Sequence, residues 1–233
     1  MSETARIWME VVFDIGYLIA IWWLVIQMRR RLPQVREEDQ STAHLVMMAF
    51  ILLALGDTGH VGFRVVAYAL GGAEPVSFTF AGSTFSLLGL GTVMTAITVT
   101  LFYVLMVAIW RVRYRKAYGP FEVMLFAAAL IRLLFLAVPA NEWNSPVPPQ
   151  PWSIIRNIPL LIQGLGVAYL FLRDSRANDD RPFWWMGIMI LLSYACYTAV
   201  VLFVRQIPLI GLLMIPKTVA YLVMAVLAYR EIW

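Results

Sequence analysis

Cysteine and histidine are scarce in this 233-residue chain, and their scarcity excludes several kinds of site. Cys196 is the single cysteine, so the chain can form neither an internal disulfide nor a cysteine-rich metal site. The only histidines, His44 and His60, are predicted to lie about 24 Å apart along one helix. Two side chains at that separation cannot ligate one metal ion or haem together, so the sequence predicts no metal site.

Charged residues are also few. They make up 14% of the chain, whereas hydrophobic residues make up 61% and the mean hydropathy is +0.76. Because a soluble domain carries about a quarter charged residues, this composition predicts an integral membrane protein in contact with lipid, expected in the cell membrane. The first apolar run contains Glu10 and Asp14 and lacks a basic leader, so we expect it to remain in the mature protein rather than act as a cleaved signal peptide.

Seven apolar segments are long enough to cross a bilayer core, which requires about 20 residues. They are 7–28, 43–70, 83–110, 120–138, 153–172, 183–204 and 208–229. The sequence therefore predicts an all-α fold, a seven-transmembrane helical bundle formed by one domain, residues 1–233. The proline-rich segment 139–151 is expected to be a structured loop rather than a helix.

Basic residues concentrate in alternate loops. The loops after the first, third and fifth spans contain Arg29, Arg30, Arg31, Arg36, Arg111, Arg113, Arg115, Lys116, Arg173, Arg176 and Arg181. The loops near 71–82 and 139–152 contain no lysine or arginine. Under the positive-inside rule, the N-terminus is exoplasmic and the C-terminus cytoplasmic. The basic loops also match anionic lipid headgroups, so no nucleic-acid partner is predicted.

Polar side chains inside the spans are predicted to lie in the middle or the exoplasmic half of the membrane. Intramembrane charges usually face one another or a water-filled cavity, so the sequence predicts a ligand pocket open to the exoplasmic side. Its candidate residues are Glu10, Asp14, Asp57, His60, Arg64, Arg132, Arg156, Tyr197, Lys217 and Tyr221. The alternative is structural: the three acids would pair with Arg64, Arg132 and Lys217 only to hold the helices together.

Lys217 is the most informative of these residues because it lies near the middle of the last predicted span. An ammonium group in hydrocarbon costs about 2.5–3.5 kcal/mol on insertion scales. We therefore expect Lys217 to lie within hydrogen-bonding reach of a ligand or a carboxylate, Asp57 first and Asp14 second. Pro216 directly precedes it, and a proline inside a helix bends that helix, which would open space beside the ammonium group.

The leading functional prediction is binding or translocation of a small polar or amphipathic ligand, with an anionic ligand favoured because four pocket cations outnumber three carboxylates. The alternative is an intramembrane enzyme acting on a lipid, with Asp57 and His60 as an acid–base pair on one helical face. The sequence lacks a Walker loop and the H-E-x-x-H and G-x-S-x-G motifs, so we favour a protein that is not an enzyme. Oligomerisation is left open.

Two family resemblances bear on function. In length, span number and a lysine inside the seventh span, the chain resembles the microbial rhodopsins, which implies retinal bound to Lys217 as a Schiff base. Those proteins carry counter-ions on the third and seventh helices, where this chain has no acid at that depth, so Asp57 would have to substitute. The sequence Leu55-Gly56-Asp57 is similar to a short motif of the lysoplasmalogenases, whose second intramembrane aspartate has no counterpart here. No cofactor is predicted from the residues themselves.

The alternation of basic loops predicts the sidedness of the chain. A cysteine introduced into the 139–151 loop should react with a membrane-impermeant thiol reagent added outside the cell, and a cysteine introduced into 174–180 should not. Labelling in intact cells, compared with labelling after permeabilisation, measures this. The reverse pattern would contradict both the orientation and the exoplasmic opening of the pocket.

Overall fold

The computed structural model describes residues 3–71, 76–80, 83–145 and 149–233, and most of them are helical. The helices are α1 (Glu3–Arg31), α2 (Gln40–Gly71), α3 (Leu87–Arg113), α4 (Pro120–Leu136), α5 (Gln150–Ile155), α6 (Ile158–Ala177), α7 (Arg181–Phe203) and α8 (Met214–Ile232). Short 3₁₀ turns occupy Leu32–Gln34, Glu37–Asp39, Pro139–Asn141 and Pro208–Leu213. The all-helical prediction is therefore confirmed, apart from one small hairpin.

Six helical stretches in the described part of the chain are long and apolar enough to cross a membrane. They are Met9–Gln34, Glu37–Val66, Leu87–Arg113, Gln150–Ala177, Arg181–Phe203 and Pro208–Ile232. They indicate a membrane-embedded, multi-pass protein. The remaining predicted span, 120–138, corresponds to α4, which has only 17 residues. The seven-span count and the orientation of the termini stay predictions.

The hairpin lies where the sequence predicted a loop and the start of the third span. Strand β1 (Ser77–Phe80) pairs antiparallel with β2 (Ser83–Ser86), and Ser77 lies opposite Ser86. The third span therefore begins as a helix at Leu87 rather than at residue 83. Ser86 Oγ accepts a hydrogen bond from Gly89 N at 3.2 Å, an N-cap that fixes this boundary. Residues 72–75 and 81–82 of the predicted loop lie outside the described residues.

The proline-rich segment 139–151 is only partly a loop. It includes the 3₁₀ turn Pro139–Asn141 and the start of α5, and Asn141 Nδ2 donates to Phe135 O at 2.6 Å and to Val138 O at 2.7 Å. These bonds tie the 3₁₀ turn back to the end of α4 and to the residues that follow it. The prediction of a structured connection is correct at its start, and residues 146–148 lie outside the described residues.

The fifth and seventh predicted spans are interrupted helices. Between α5 and α6 the chain leaves the helix at Arg156 and Asn157, and Pro159 lies in the first turn of α6. Before α8 the chain forms the 3₁₀ turn Pro208–Leu213. Pro216 therefore lies in the first turn of α8, where its missing N–H is tolerated. The helix does not break at Pro216 itself; the change in helix type lies before it, in the 3₁₀ turn Pro208–Leu213.

Helices α2 and α3 form the most extensive helix pair, and small residues allow them to approach closely. A Cβ atom at Gly56 would collide with Thr98 Oγ1, and one at Gly59 would collide with Met94 Sδ. Thr95 Oγ1 donates to Gly56 O at 2.8 Å across the same contact. These glycines thus serve helix packing.

One end of the bundle is closed by an ion-pair network. The Arg113 guanidinium contacts Asp39 Oδ1 at 3.3 Å, Asp180 Oδ2 at 3.0 Å and Glu231 Oε1 at 2.7 Å. These carboxylates come from the α1–α2 connection, the residue before α7 and the end of α8. We call these four residues the Arg113 network. Next to it lies a core of fully buried side chains, including Phe50, Phe102, Met106, Phe171 and Phe183.

The α2–α3 contact predicts a difference between two glycines on α2. Gly56→Leu should lower the free energy of unfolding by about 1–3 kcal/mol, the usual cost of overpacking, because its side chain must displace Thr98. Gly62→Leu is the matched control, since a Cβ atom there has no neighbour within 4 Å. Thermal unfolding of the purified variants in detergent measures the difference. Equal melting temperatures would show that close packing at Gly56 is not required.

Candidate functional site

A cavity of about 510 Å³ lies at the end of the bundle opposite the Arg113 network. All ten residues that the sequence singled out line it, namely Glu10, Asp14, Asp57, His60, Arg64, Arg132, Arg156, Tyr197, Lys217 and Tyr221. They come from α1, α2, α4, the α5–α6 break, α7 and α8. The structure therefore brings together side chains that are separated by up to 211 positions in the sequence.

The wall formed by α1 and α2 contains carboxylates that already have partners. Tyr17 OH donates a hydrogen bond to Asp57 Oδ2 at 2.7 Å. Arg64 Nη1 lies 3.8 Å from Asp14 Oδ2, and Glu10 also lines this side of the cavity. The acidic wall is thus held together by contacts between the two helices.

His60 interacts with Arg64 rather than with Asp57. Arg64 Nη2 lies 2.8 Å from His60 Nε2, and because arginine can only donate, Nε2 must accept. The ring proton therefore resides on Nδ1, which is buried and has no hydrogen-bond partner. The predicted Asp57–His60 acid–base pair is not formed in this structure, because each residue is engaged by a different neighbour.

Lys217 lies in the first turn of α8 and faces two aromatic rings. Its Nζ is 5.2 Å from the centre of the Tyr197 ring and 5.7 Å from that of Tyr221, distances typical of cation–π contacts. Asp57 attracts the ammonium group only at longer range, and no described carboxylate lies within ion-pair distance of it. The direct pair of Lys217 with Asp57 or Asp14 is therefore not formed in this structure, and the alternative, a ligand beside Lys217, stays a prediction.

Arg132 and Arg156 form a cationic wall opposite the carboxylates. Arg132 on α4 is 2% exposed, and its Nε and Nη1 atoms have no hydrogen-bond partner. Arg156 lies in the α5–α6 break, where Nη1 donates to Asn141 Oδ1 at 3.2 Å and the guanidinium stacks 4.2 Å from the centre of the Trp143 ring. The structural alternative required Arg132 to pair with an acid, but among the described residues it forms no ion pair.

Hydroxyl and amide groups complete the polar surface. Tyr197 OH donates to Asn157 Oδ1 at 2.9 Å, and Tyr221 OH lies 2.9 Å from the buried Tyr103 OH. The site residues predicted from the sequence did not include Tyr17, Trp143 or Asn157. Tyr17 could have been found because it lies one helical turn after Asp14, on the same face of α1.

The cavity also has an apolar surface, to which Leu53, Val99, Leu160, Val204 and Ile215 contribute. A molecule with one polar and one apolar part would match both surfaces. No group of three or more histidine, cysteine, aspartate or glutamate residues that could hold a metal ion occurs in the described ranges. The residues that line the cavity offer hydrogen-bonding, charged and apolar groups.

Comparisons with protein-family models, curated proteins and solved structures found no match to this chain. The resemblance to the microbial rhodopsins remains one of length, predicted span number and one lysine, and that to the lysoplasmalogenases one of three residues.

Asp57 should be coupled energetically to Tyr17 more strongly than to Lys217. In a double-mutant cycle of Tyr17→Phe and Asp57→Ala, the coupling free energy should be about 1.5–3 kcal/mol, the range for a hydrogen bond to a charged group. The cycle of Lys217→Met and Asp57→Ala should give a smaller value, since these side chains are not in contact. Denaturant unfolding in detergent measures both. A larger coupling to Lys217 would contradict the geometry described here.

Proposed function

We propose that this protein binds a small amphipathic ligand in its cavity, and that the ligand enters from the exoplasmic side of the cell membrane. The proposal rests on one observation: ten polar side chains and an apolar surface line a single cavity of about 510 Å³. Ligand pockets typically have volumes of about 300–1,000 Å³. The polar groups would bind the head of the ligand and the apolar surface its hydrocarbon part.

The proposed topology has seven spans, with α4 as the fourth. Its 17 residues are at the lower end of the length that crosses a hydrocarbon core, about 17–25 residues. Glu122 Oε2 accepts a hydrogen bond from Gly119 N at 2.7 Å and so caps one end of α4. Arg132 near the other end faces the cavity rather than lipid. Together with the arginine-rich alternate loops, these features support an exoplasmic N-terminus and a cytoplasmic C-terminus.

Translocation is favoured over reception of a signal. The predicted cytoplasmic loops are short and offer little surface for a signalling partner. The cavity is closed on that side by the buried core and the Arg113 network, so passage of a ligand would require both to rearrange. The enzymatic alternative lacks its acid–base pair in this structure. Retinal binding stays a prediction, for which the test is a red-shifted absorption band that is lost in Lys217→Met.

Two glycine substitutions test the cavity as the binding site. Gly211 lines the cavity, and a Cβ atom there would have its nearest neighbour, Val204 Cγ2, at 3.8 Å, an ordinary contact. Gly211→Leu should therefore fold but fill part of the space. Crowding a packed site costs about 1–3 kcal/mol, so the amount of co-purifying amphipathic ligand should fall by roughly tenfold.

Gly16→Leu is the matched control because Gly16 is exposed on α1, outside the cavity, and has no atom within 4 Å of an added Cβ. Small molecules extracted from equal amounts of each purified variant can be identified and quantified by mass spectrometry. We expect a loss of specific molecules in Gly211→Leu alone. The same ligand content in wild type and both variants would contradict binding in this cavity.

A further inference from the structure

The cationic side chains of the cavity differ in whether a carboxylate compensates their charge. Arg64 has Asp14 as an ion-pair partner. Arg132, Arg156 and Lys217 have no carboxylate within ion-pair distance among the residues that the structure describes. Arg132 is close enough to Arg156 and to Lys217 for their like charges to repel. We call these three residues the cation cluster; all three line the cavity, and Asp57 attracts Lys217 from longer range.

Arg132 is the central member of this cluster. A guanidinium has five N–H donors, and a buried charge without a partner is strongly unfavourable. Arg132 is 2% exposed, and two of its nitrogen atoms, Nε and Nη1, have no hydrogen-bond partner although the residue lines the cavity. A guanidinium that is desolvated in this way gains from an acceptor that comes within reach of its nitrogen atoms.

The neighbouring cations are held in place by uncharged groups. Arg156 is fixed by Asn141 and by stacking on Trp143, and Lys217 lies over Tyr197 and Tyr221. These contacts orient both cations without neutralising them. Preorganised positive groups of this kind bind an anion without the cost of ordering them first.

The start of α6 adds to the positive potential. Asn157 and Leu160 lie there and line the cavity, and the N-terminus of a helix carries a partial positive charge that favours anions. The start of α8 adds none of its own, because α8 continues from the 3₁₀ turn Pro208–Leu213, where Gly211 O and Leu212 O accept from Met214 N.

We infer that the cation cluster binds an oxyanion, a phosphate or a carboxylate, which forms the head of the amphipathic ligand. Guanidinium groups match the paired oxygens of such anions, and the ammonium group of Lys217 adds a further donor. Leu160, Val204 and Ile215 line the cavity and would contact the hydrocarbon part. This inference rests on the proposed function and specifies the chemistry of the ligand.

Four probes separate the head of the ligand from its tail: dodecyl phosphate, dodecanoate, dodecanol and inorganic phosphate. Binding to the protein in a neutral detergent can be followed by tryptophan fluorescence. The part of the signal that is lost in Trp143→Phe reports binding beside Arg156. We expect dodecyl phosphate or dodecanoate to bind at least tenfold more tightly than dodecanol and inorganic phosphate.

Arg132→Gln should weaken binding of the anionic amphipath by about 10- to 100-fold, the effect of losing a hydrogen bond to a charged group. Arg181→Gln is the control, because Arg181 is exposed on the opposite side of the bundle and should leave binding unchanged. Without ligand, Arg132→Gln should melt at or above the temperature of wild type, since it removes an uncompensated charge. A large drop in melting temperature would assign Arg132 a structural role and overturn the inference.

Arg156→Gln provides a second variant, and a weakening of at least tenfold is again expected. Equal binding of dodecanol and dodecyl phosphate, unaffected by either substitution, would overturn the oxyanion inference while leaving an amphipath-binding cavity in place. Binding of inorganic phosphate as tight as that of dodecyl phosphate would support the cation cluster but contradict the proposed amphipathic ligand. If none of the four probes binds, the inference is overturned. The Gly211→Leu experiment then tests the proposed function independently.

Discussion

The cost of placing charge inside an apolar helical bundle organises this molecule. At one end, Arg113 is surrounded by three carboxylates from three parts of the chain, so its charge is compensated and the helices are held close together. At the other end, Arg132 is more deeply buried than Arg113 but has no acidic partner among the described residues. The two arginines thus differ in burial and in partners, and this difference separates a packed end from an end that contains a cavity.

The close approach of α2 and α3 connects these two ends. Gly56 allows the helices to touch and fixes the rotation of α2, so that Asp57, His60 and Arg64 face the cavity rather than lipid. A small rotation of α2 would turn these side chains toward lipid, where charged groups are unfavourable. The close contact at Gly56 therefore determines both the packing of the two helices and the position of these polar groups.

The position of each polar residue along its helix could be predicted from the sequence, but its partners could not. The rise of a helix fixes how far along its axis each polar residue lies, which is why all ten selected residues line one cavity. The partners of a polar residue depend on the rotation of each helix and on which helices are neighbours. Neither can be read from a single sequence. Tyr17 illustrates the point: it is the hydrogen-bond partner of Asp57, and this was not predicted although its place one turn after Asp14 was visible.

Local interruptions were equally difficult to predict. Pro159 and Pro216 marked the two irregular spans, yet both prolines lie inside the first turn of a new helix rather than at a kink within a continuous one. The hairpin ends at Ser86 because its hydroxyl caps α3, a side-chain effect that hydropathy does not register. Composition thus predicted the class of fold, and specific hydrogen bonds determined where its elements begin.

Helix α8 links the two ends of the molecule mechanically. Lys217 is in its first turn and Glu231 is near its last residue, about 21 Å away along the axis at the usual rise of an α-helix. The helix is continuous between them, so it moves as a rod. A tilt that shifts the ammonium group by a small amount also moves the carboxylate that binds Arg113, and the same guanidinium contacts Asp39 and Asp180. A displacement at the cavity would thereby be carried along the length of α8 to a junction of three chain segments.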